Sequence, residues 1–319
     1  MPVQADGGIE GNRRMSQTHV FRTFLIGSSI LFLVSSAVSC SAAPHMTMIW
    51  QDEFNGPVNS SVNTADWLFD IGTCYPGCPA QNWGTGEIES MTNSTDNVYQ
   101  DGAGHLAIKP LHNGDKWTSG RIETQRTDFT APSGGILRIE ASIQQPNVTG
   151  KEASGYWPAF WMLGAPFRGV YSNWPTIGEI DIMEDANGRS SLFGTLHCGI
   201  SRGGPCNETS GMGSGERPCQ DCQTGFHVYA IEYDRSVSPE QIRWYLDDKN
   251  YFTVSANQFD EATWNNATKH GCFIILDVAM GGGLASALSG IVGPSTASGV
   301  PMLVDYVRIY TSNPAKAAS

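Results

Sequence analysis

Three carboxylates lie within six residues of one segment, Glu179-Ile180-Asp181-Ile182-Met183-Glu184. Apolar β-formers separate them, so the segment predicts a strand on which Glu179 and Asp181 share a face. Strict alternation would turn Glu184 to the opposite face. A β-bulge near Ile182–Met183 would return Glu184 to the face of the other two acids. The spacing therefore predicts three acids crowded on one side of a strand.

Crowded carboxylates suit acid–base chemistry, because like charges push their pKa values apart. One site can then hold an ionised and a protonated carboxyl at the same time. The alternative is a solvated strand edge with scattered acids. The segment Glu179–Glu184 contains no Lys or Arg and apolar residues flank it, which favours the chemical site.

Tryptophans lie upstream of the acids and predict a carbohydrate cleft. In a strand over Gly155–Leu163, Trp157, Ala159 and Trp161 would share one face. Trp174 comes between that strand and the acids. Sugar rings stack on flat aromatic faces, so tryptophans beside carboxylates suit a sugar-binding site. Burial in the core is the alternative for each of them.

His197 lies on the next strand predicted along the chain, within Phe193–His197. A neighbouring antiparallel strand runs beside the acids, so His197 is expected to line the cleft and contact substrate. The alternative is a structural hydrogen bond within the fold.

Short runs rich in β-branched and aromatic residues recur from Met46 to Tyr310, and turn residues separate them. They include Leu106–Ile108, Gly135–Glu140, Phe193–His197, Val228–Tyr233, Ile242–Leu246, Phe273–Val278 and Leu303–Tyr310. Asp247–Asn250 predicts a hairpin turn. No long helical period, tandem repeat or Pro/Ser-rich linker interrupts this pattern. The chain is therefore predicted to be all-β, one antiparallel β-sandwich of the jelly-roll type.

The bulk composition limits the partners of the protein. The 319 residues carry a formal net charge of −12, which argues against a nucleic-acid partner. Frequent glycine and a charged fraction of only 16% suit an all-β protein with many turns. We expect the protein to be a monomer and, once its leader is removed, to have no membrane partner.

The N-terminus predicts a leader and secretory signal peptide over 1–43, followed by the folded domain over 44–319. Basic residues precede an apolar run at Phe24–Val38, and small residues follow at Ser39–Ala43. The run is shorter than the roughly 20 residues of a membrane span. An uncleaved signal anchor is the alternative. Met15 is an alternative start.

Cysteines and glycosylation sequons agree with a secreted, extracellular protein. Seven cysteines follow the signal, which allows up to three disulfides and one free thiol. Cys74/Cys78 and Cys219/Cys222 are spaced like zinc ligands, but an oxidising compartment favours disulfides. Five N-glycosylation sequons begin at Asn59, Asn93, Asn147, Asn207 and Asn266.

The acidic motif Glu-x-Asp-x-x-Glu at Glu179, Asp181 and Glu184 resembles that of glycoside hydrolase family 16. The chain is similar to its laminarinase-like endo-β-glucanases, and among them to secreted fungal members. Supporting segments, in the family's order, are Trp50–Phe54, Ser119–Thr124, Trp157–Trp161, Gly194–Gly199, Trp244–Asp247, Val278–Gly282 and Val304–Tyr310. The resemblance covers nearly the whole mature chain and implies a jelly roll whose concave sheet forms an open cleft.

The resemblance implies roles for individual residues. Glu179 falls on the nucleophile of a retaining glycosidase, Glu184 on its general acid/base and Asp181 on its assisting acid. Substrate-binding roles are expected for Trp157, Trp161, Trp174, His197 and Arg121. The partner is a polysaccharide, and catalysis requires no cofactor.

The resemblance also implies a structural Ca²⁺ with Asp305 among its ligands. One Asp does not define a hard oxygen site. The alternative is a strand aspartate paired with Arg308 or with a turn amide.

Three departures from the family bear on the substrate. Trp83-Gly84-Thr85 replaces a Trp-Gly-Asn, Met91 replaces an aromatic residue, and Gly283–Ser286 lacks the Trp or Phe of glucan-cleaving relatives. The predicted activity is endo-cleavage of β-1,3-glucan, including mixed 1,3/1,4 linkages. The alternatives are another β-linked polymer such as β-1,3-galactan, cell-wall transglycosylation, or carbohydrate binding without catalysis. The presence of all three acids disfavours the last.

Overall fold

The structure, a computed structural model, describes residues 45–312, so the signal prediction lies outside the described residues. The strands are β1 Met46–Asp52, β2 Trp67–Phe69, β3 Glu89–Met91, β4 Val98–Gln100, β5 Leu106–Ile108, β6 Leu111–Asn113, β7 Lys116–Ser119, β8 Arg121–Thr124, β9 Ile136–Gln144, β10 Tyr156–Gly164, β11 Glu179–Glu184, β12 Ser191–His197, β13 Met212–Gly213, β14 Arg217–Pro218, β15 His227–Asp234, β16 Gln241–Leu246, β17 Lys249–Ser255, β18 Cys272–Met280 and β19 Met302–Ser312. The helices are α1 Glu261–Thr268 and α2 Gly282–Ala287. Short 3-10 turns cover Gln81–Gly84, Gly150–Ala153, Ala165–Phe167 and Ala256–Gln258.

Two antiparallel sheets form the body of the domain. The acid sheet has the strand order β13-β12-β11-β10-β18-β8-β2, with β14 paired to β12. The back sheet has the order β17-β16-β15-β9-β19-β5-β4, with β1 paired to β19. Hairpin-connected strands such as β10–β13 and β15–β17 are joined in these sheets to strands far away in sequence, as β18 is to β10 and β9 to β19, and this is typical of a jelly roll. The all-β prediction is confirmed.

The main core lies between these sheets because alternate side chains of each strand point inward. Ile139, Ile231 and Trp244 of the back sheet are fully buried, as are Phe160 and Ile182 of the acid sheet. The acids sit on the opposite face of the acid sheet, away from this core.

A second apolar cluster lies on the acid-bearing face itself. Leu163, Phe273 and Ile275 of the acid sheet pack there against side chains of the connecting loops. The loop residues include Tyr75, Phe167, Tyr171, Trp174 and Ile177. These loops cover one end of the face and leave the region around β11 partly open.

The seven strand-like runs identified in the sequence lie in strands, except that Gly135 directly precedes β9. The predicted hairpin turn is narrower than Asp247–Asn250, because β17 already begins at Lys249. Asp247 and Asp248 have φ angles of 48° and 61°, which is the left-handed pair of a two-residue hairpin. No helix was predicted at α1. Its first turn is closed by Asp260, whose side chain accepts a hydrogen bond from Thr263 N.

The disulfide prediction is confirmed. The pairs are Cys74–Cys78, Cys198–Cys206 and Cys219–Cys222, and Cys272 is a buried free thiol. All five sequon asparagines are exposed. Within residues 45–312, no helix is long and apolar enough to cross a membrane.

Candidate active site

The bulge predicted in β11 is present. Asp181 pairs with Thr195 and Glu184 pairs with Phe193, so Ile182 and Met183 together face a single residue of β12. The pairing with β10 shifts at the same place. One extra residue restores the phase, and all three acids therefore point to the same face.

Side chains of the back sheet hold the backbone of this bulge from the core side of the acid sheet. The indole Nε1 of Trp244 donates a hydrogen bond to the carbonyl oxygen of Asp181, at 2.8 Å. Gly194, which lies opposite the bulge, leaves room for this contact. A Cβ at that position would lie 2.5 Å from the Trp244 ring and 2.7 Å from the Tyr251 hydroxyl. The bulge therefore requires both the indole and the glycine.

The tryptophans of β10 lie on the acid-bearing face, as predicted. Trp157 Nε1 donates a hydrogen bond to Glu184 Oε1 at 2.8 Å. Trp161 stands opposite Asp181 in the neighbouring strand, and its Nε1 donates to Asp277 Oδ1 at 2.7 Å. Both indoles are thus polar partners of acids as well as flat surfaces beside them.

His197 stands opposite Glu179 in the paired strand. Its Nε2 lies 3.3 Å from Asp181 Oδ2 and 3.7 Å from Glu179 Oε1. Its Nδ1 lies 2.8 Å from Glu208 Oε2. The Trp174 ring packs 5.7 Å from the imidazole, centroid to centroid. The structure therefore brings His197 and Trp174 to the acids, as the sequence predicted.

The three acids have different electrostatic surroundings. Burial, reinforced by the Asp181 charge, raises the pKa of Glu179 to about 8, and the neighbouring His197 opposes this shift. Burial and the same Asp181 charge raise the pKa of Glu184 well above its usual range. Among the described residues, no cationic nitrogen lies within 4.0 Å of Glu184, whereas Glu179 has His197. Of the two glutamates, Glu179 is the one that lies beside a cation, and this favours its ionisation over that of Glu184.

The pKa of His197 is raised to about 12. Burial disfavours the imidazolium, but hydrogen bonds to Asp181 and Glu208 and the negative charges of Glu179 and Asp181 outweigh it. His197 is therefore a cation between β11 and Glu208.

Arg121 is buried, with 4% of its surface exposed. Its Nε donates to Asp70 at 2.9 Å and its Nη2 donates to the Tyr75 hydroxyl at 2.5 Å. The guanidinium lies 4.5 Å from the Trp83 ring and 4.7 Å from the Trp161 ring. So little exposed surface disfavours the predicted direct contact with substrate. Arg121 instead holds the aromatic side chains of the cleft in place.

Sequence reasoning missed two acids of the site. Asp277 lies in the fully buried strand β18, and a charged residue inside an apolar strand was a usable signal. Asp277 stands opposite Arg121 in the neighbouring strand, and burial raises the pKa of its carboxyl to about 7. Glu208 lies in the loop after β12. Glu208 and His197 are not related by the periodicity of a single strand, so no signal in the sequence identified Glu208.

Asp305 lies at a register shift in β19. The predicted alternative partner, Arg308, instead forms a two-point ion pair with Glu53, at 2.7 and 2.8 Å. Among residues 45–312, Asp305 belongs to none of the clusters of three acidic, His or Cys side chains that could hold a metal. A Ca²⁺ at Asp305 would therefore need backbone carbonyls and water as its other ligands.

The departures from the family lie beside the cleft or beneath it. Met91 is fully buried, so it replaces an aromatic residue in packing and not on the surface. The segment Gly283–Ser286 forms most of α2. A Cβ at Gly282 would lie 2.7 Å from the Trp157 ring, so the start of α2 packs directly against that indole.

A jelly roll with three acids, a histidine and tryptophans on one sheet defines a glycosidase. The profile described as "XgeA-like, catalytic GH16 domain" matches residues 147–230. The chain is 30% identical to a beta-glucanase of Rhodothermus marinus, over 88% of this chain and 93% of that protein. It is 34% identical to glucan endo-1,3-beta-glucosidase A1 of Niallia circulans, over 83% of this chain but only 38% of that protein's length.

A solved structure is similar over the whole described domain. The crystal structure of endo-1,3-beta-glucanase from Streptomyces sioyaensis matches with a TM-score of 0.83 and 57% sequence identity. The match covers 86% of this chain and 100% of that one. The chain belongs to glycoside hydrolase family 16.

Proposed function

We propose that this glycosidase cleaves β-1,3-glucan with retention of configuration, through a covalent glycosyl-enzyme. The observation that carries the proposal is the bulged strand β11, which presents Glu179, Asp181 and Glu184 on one face. The similarity to a named endo-1,3-beta-glucanase at 57% identity supports the choice of polymer.

In the first step, Glu179 attacks the anomeric carbon and Glu184 gives its proton to the departing glycosidic oxygen. In the second step, Glu184 takes a proton from water, which attacks the anomeric carbon and releases Glu179. The hydrogen bond from Trp157 Nε1 positions the Glu184 carboxyl for both transfers.

Asp181 assists both glutamates in this proposal. Its negative charge raises the pKa of Glu184, which keeps the acid protonated until the leaving oxygen needs the proton. Trp157, Trp161 and Trp174 are proposed to bind sugar rings, because each is only partly buried on the face of the acids.

A panel of polysaccharides tests the substrate. We expect release of reducing ends from laminarin, with slower release from the mixed-linkage glucan lichenan. β-1,3-Galactan and agarose should yield none above a boiled-enzyme control. Faster cleavage of either galactan than of laminarin would contradict the glucan assignment and would explain the missing aromatic residue at Gly283–Ser286. Oligosaccharide products in place of polymer fragments joined to an acceptor would separate hydrolysis from transglycosylation.

We also propose that the protein is secreted and glycosylated. Three disulfides and five exposed sequon asparagines within the described residues support this. N-terminal sequencing of protein from the culture medium should give a start after Ser39. Treatment with an N-glycosidase should lower its apparent mass. Secreted material that begins at Met1 or Met15 would contradict the signal prediction.

Two finer predictions remain. Membership among the fungal enzymes stays a prediction, because the relatives named above are bacterial. A structural Ca²⁺ at Asp305 also stays a prediction, to be checked by metal analysis of the purified protein and by its melting temperature with and without a chelator.

A further inference from the structure

We propose that Glu208 is a positioning residue that holds His197 as a cation against the two acids of β11. The inference rests on the proposed function and adds a residue to its machinery. It is carried by a chain of contacts that runs from Glu208 through both nitrogens of the imidazole to Asp181 and Glu179.

The Glu208 carboxylate has no exposed side-chain surface, and both of its oxygens are engaged. Oε2 lies 2.8 Å from His197 Nδ1, and Oε1 accepts a hydrogen bond from the Cys198 backbone N–H at 2.9 Å. A buried carboxylate with these partners requires a donor at Nδ1. Because Nε2 also faces an acid, 3.3 Å from Asp181, both nitrogens act as donors and the ring is an imidazolium.

The loop that carries Glu208 is closed at three points. The Cys198–Cys206 disulfide joins the start of the loop to the residue two positions before Glu208. The backbones of Gly203 and Glu208 exchange two hydrogen bonds at 2.6 Å. The bond from Cys198 N–H to Glu208 then ties the side chain back to the strand that holds His197. This closure fixes the position of the Glu208 carboxylate, which a free surface loop would not do.

Among the described residues, three acids lie within 4.0 Å of the ring nitrogens of His197. Glu179 and Asp181 approach from β11 and Glu208 from the loop. The imidazolium in turn lowers the pKa of Glu179. The negative charge of Glu208 also acts on Glu179 directly and raises the pKa of that carboxyl. Loss of the Glu208 charge should therefore lower the pKa of His197, while its two effects on the pKa of Glu179 oppose one another.

The test is the pKa of His197, measured by nitrogen NMR of ¹⁵N-histidine-labelled protein. In Glu208→Gln this pKa should fall by about one unit or more, the size expected for losing an opposite charge within 4–6 Å. Glu208→Asp, which keeps the charge, should restore most of the lost shift. The control Glu216→Gln removes an exposed acid that pairs with Arg189 and should leave the pKa of His197 unchanged.

A double-mutant cycle separates this role from a structural one. In a His197→Gln background, Glu208→Gln should cause no further loss of kcat/KM on laminarin at pH 7, because Glu208 acts through the imidazole that it positions. An unchanged pKa of His197 in folded Glu208→Gln, or an equal loss of kcat/KM in both backgrounds, would overturn the inference.

The protonation of His197 can also be measured in the wild type, without substrate and without a folded variant of Glu208. Nitrogen NMR of ¹⁵N-histidine-labelled protein should show an imidazolium that persists above pH 8, assigned to His197 by its absence in His197→Gln. A neutral His197 at pH 7 would refute the inference even where laminarin is cleaved. An imidazolium in a protein that cleaves no polysaccharide would refute only the proposed function.

Discussion

Replacing Glu179 with alanine is expected to lower laminarin turnover by on the order of 10⁴-fold or more, since no other group can form the glycosyl-enzyme. The fold should persist, because Glu179 lies on the cleft face and is only partly buried. The melting temperature of the variant should therefore stay close to that of the wild type. Glu261→Ala, an exposed acid of α1, is the matched control and should keep full activity.

Added azide gives the stereochemical proof of this role. In Glu179→Ala, azide can occupy the space of the lost carboxylate and attack the anomeric carbon once. An aryl β-glycoside should then yield a glycosyl azide of inverted configuration. Wild-type turnover in the variant, or an azide product of retained configuration, would show that Glu179 is not the nucleophile.

Replacing Glu184 with glutamine should lower kcat/KM on laminarin by about 10²–10⁴-fold, the usual contribution of a general acid. Burial raises the pKa of Glu184 well above its usual range, so the wild type keeps this proton to a higher pH than an ordinary glutamate does. The wild-type profile should fall on its alkaline side as Glu184 loses the proton. Because glutamine does not titrate, that alkaline limb should flatten in the variant.

The leaving group separates proton donation from other roles of Glu184. An aryl glycoside with an acidic phenol needs no proton to depart, so its glycosylation step should be nearly unaffected in Glu184→Gln. Azide should now give a product of retained configuration, because it intercepts the glycosyl-enzyme on Glu179. Equal losses on laminarin and on the aryl glycoside would contradict the assignment of Glu184 as the acid.

Strand periodicity predicted the centre of this site because local rules govern it. Alternation placed Glu179 and Asp181 on one face, and the misfit of Glu184 required a bulge at Ile182–Met183. The same rule placed Trp157 and Trp161 beside the acids. Both predictions depend only on the alternation of side chains along a single strand, β11 or β10. Such alternation can be read directly from the sequence.

The same local rules could not predict contacts between segments that are distant in the sequence. The sequence segment around Arg121 predicted a substrate ligand. In the structure, Asp70 and Tyr75 from other loops bind its guanidinium. Glu208 reaches His197 only because a disulfide folds its loop back. The parallel pairing of β3 with β7 involves a strand of three residues, which is too short to carry a period.

The indole of Trp244 belongs to the back sheet but contacts the backbone of the acid sheet. It is fully buried in the back sheet, yet it bonds the backbone that sets the spacing of the acids. Transplanting the acidic motif onto another β-sandwich would therefore fail unless the indole and the facing Gly194 were transplanted with it. For the same reason, a laboratory selection for faster catalysis would find useful changes in the interior beneath β11 as well as in the cleft.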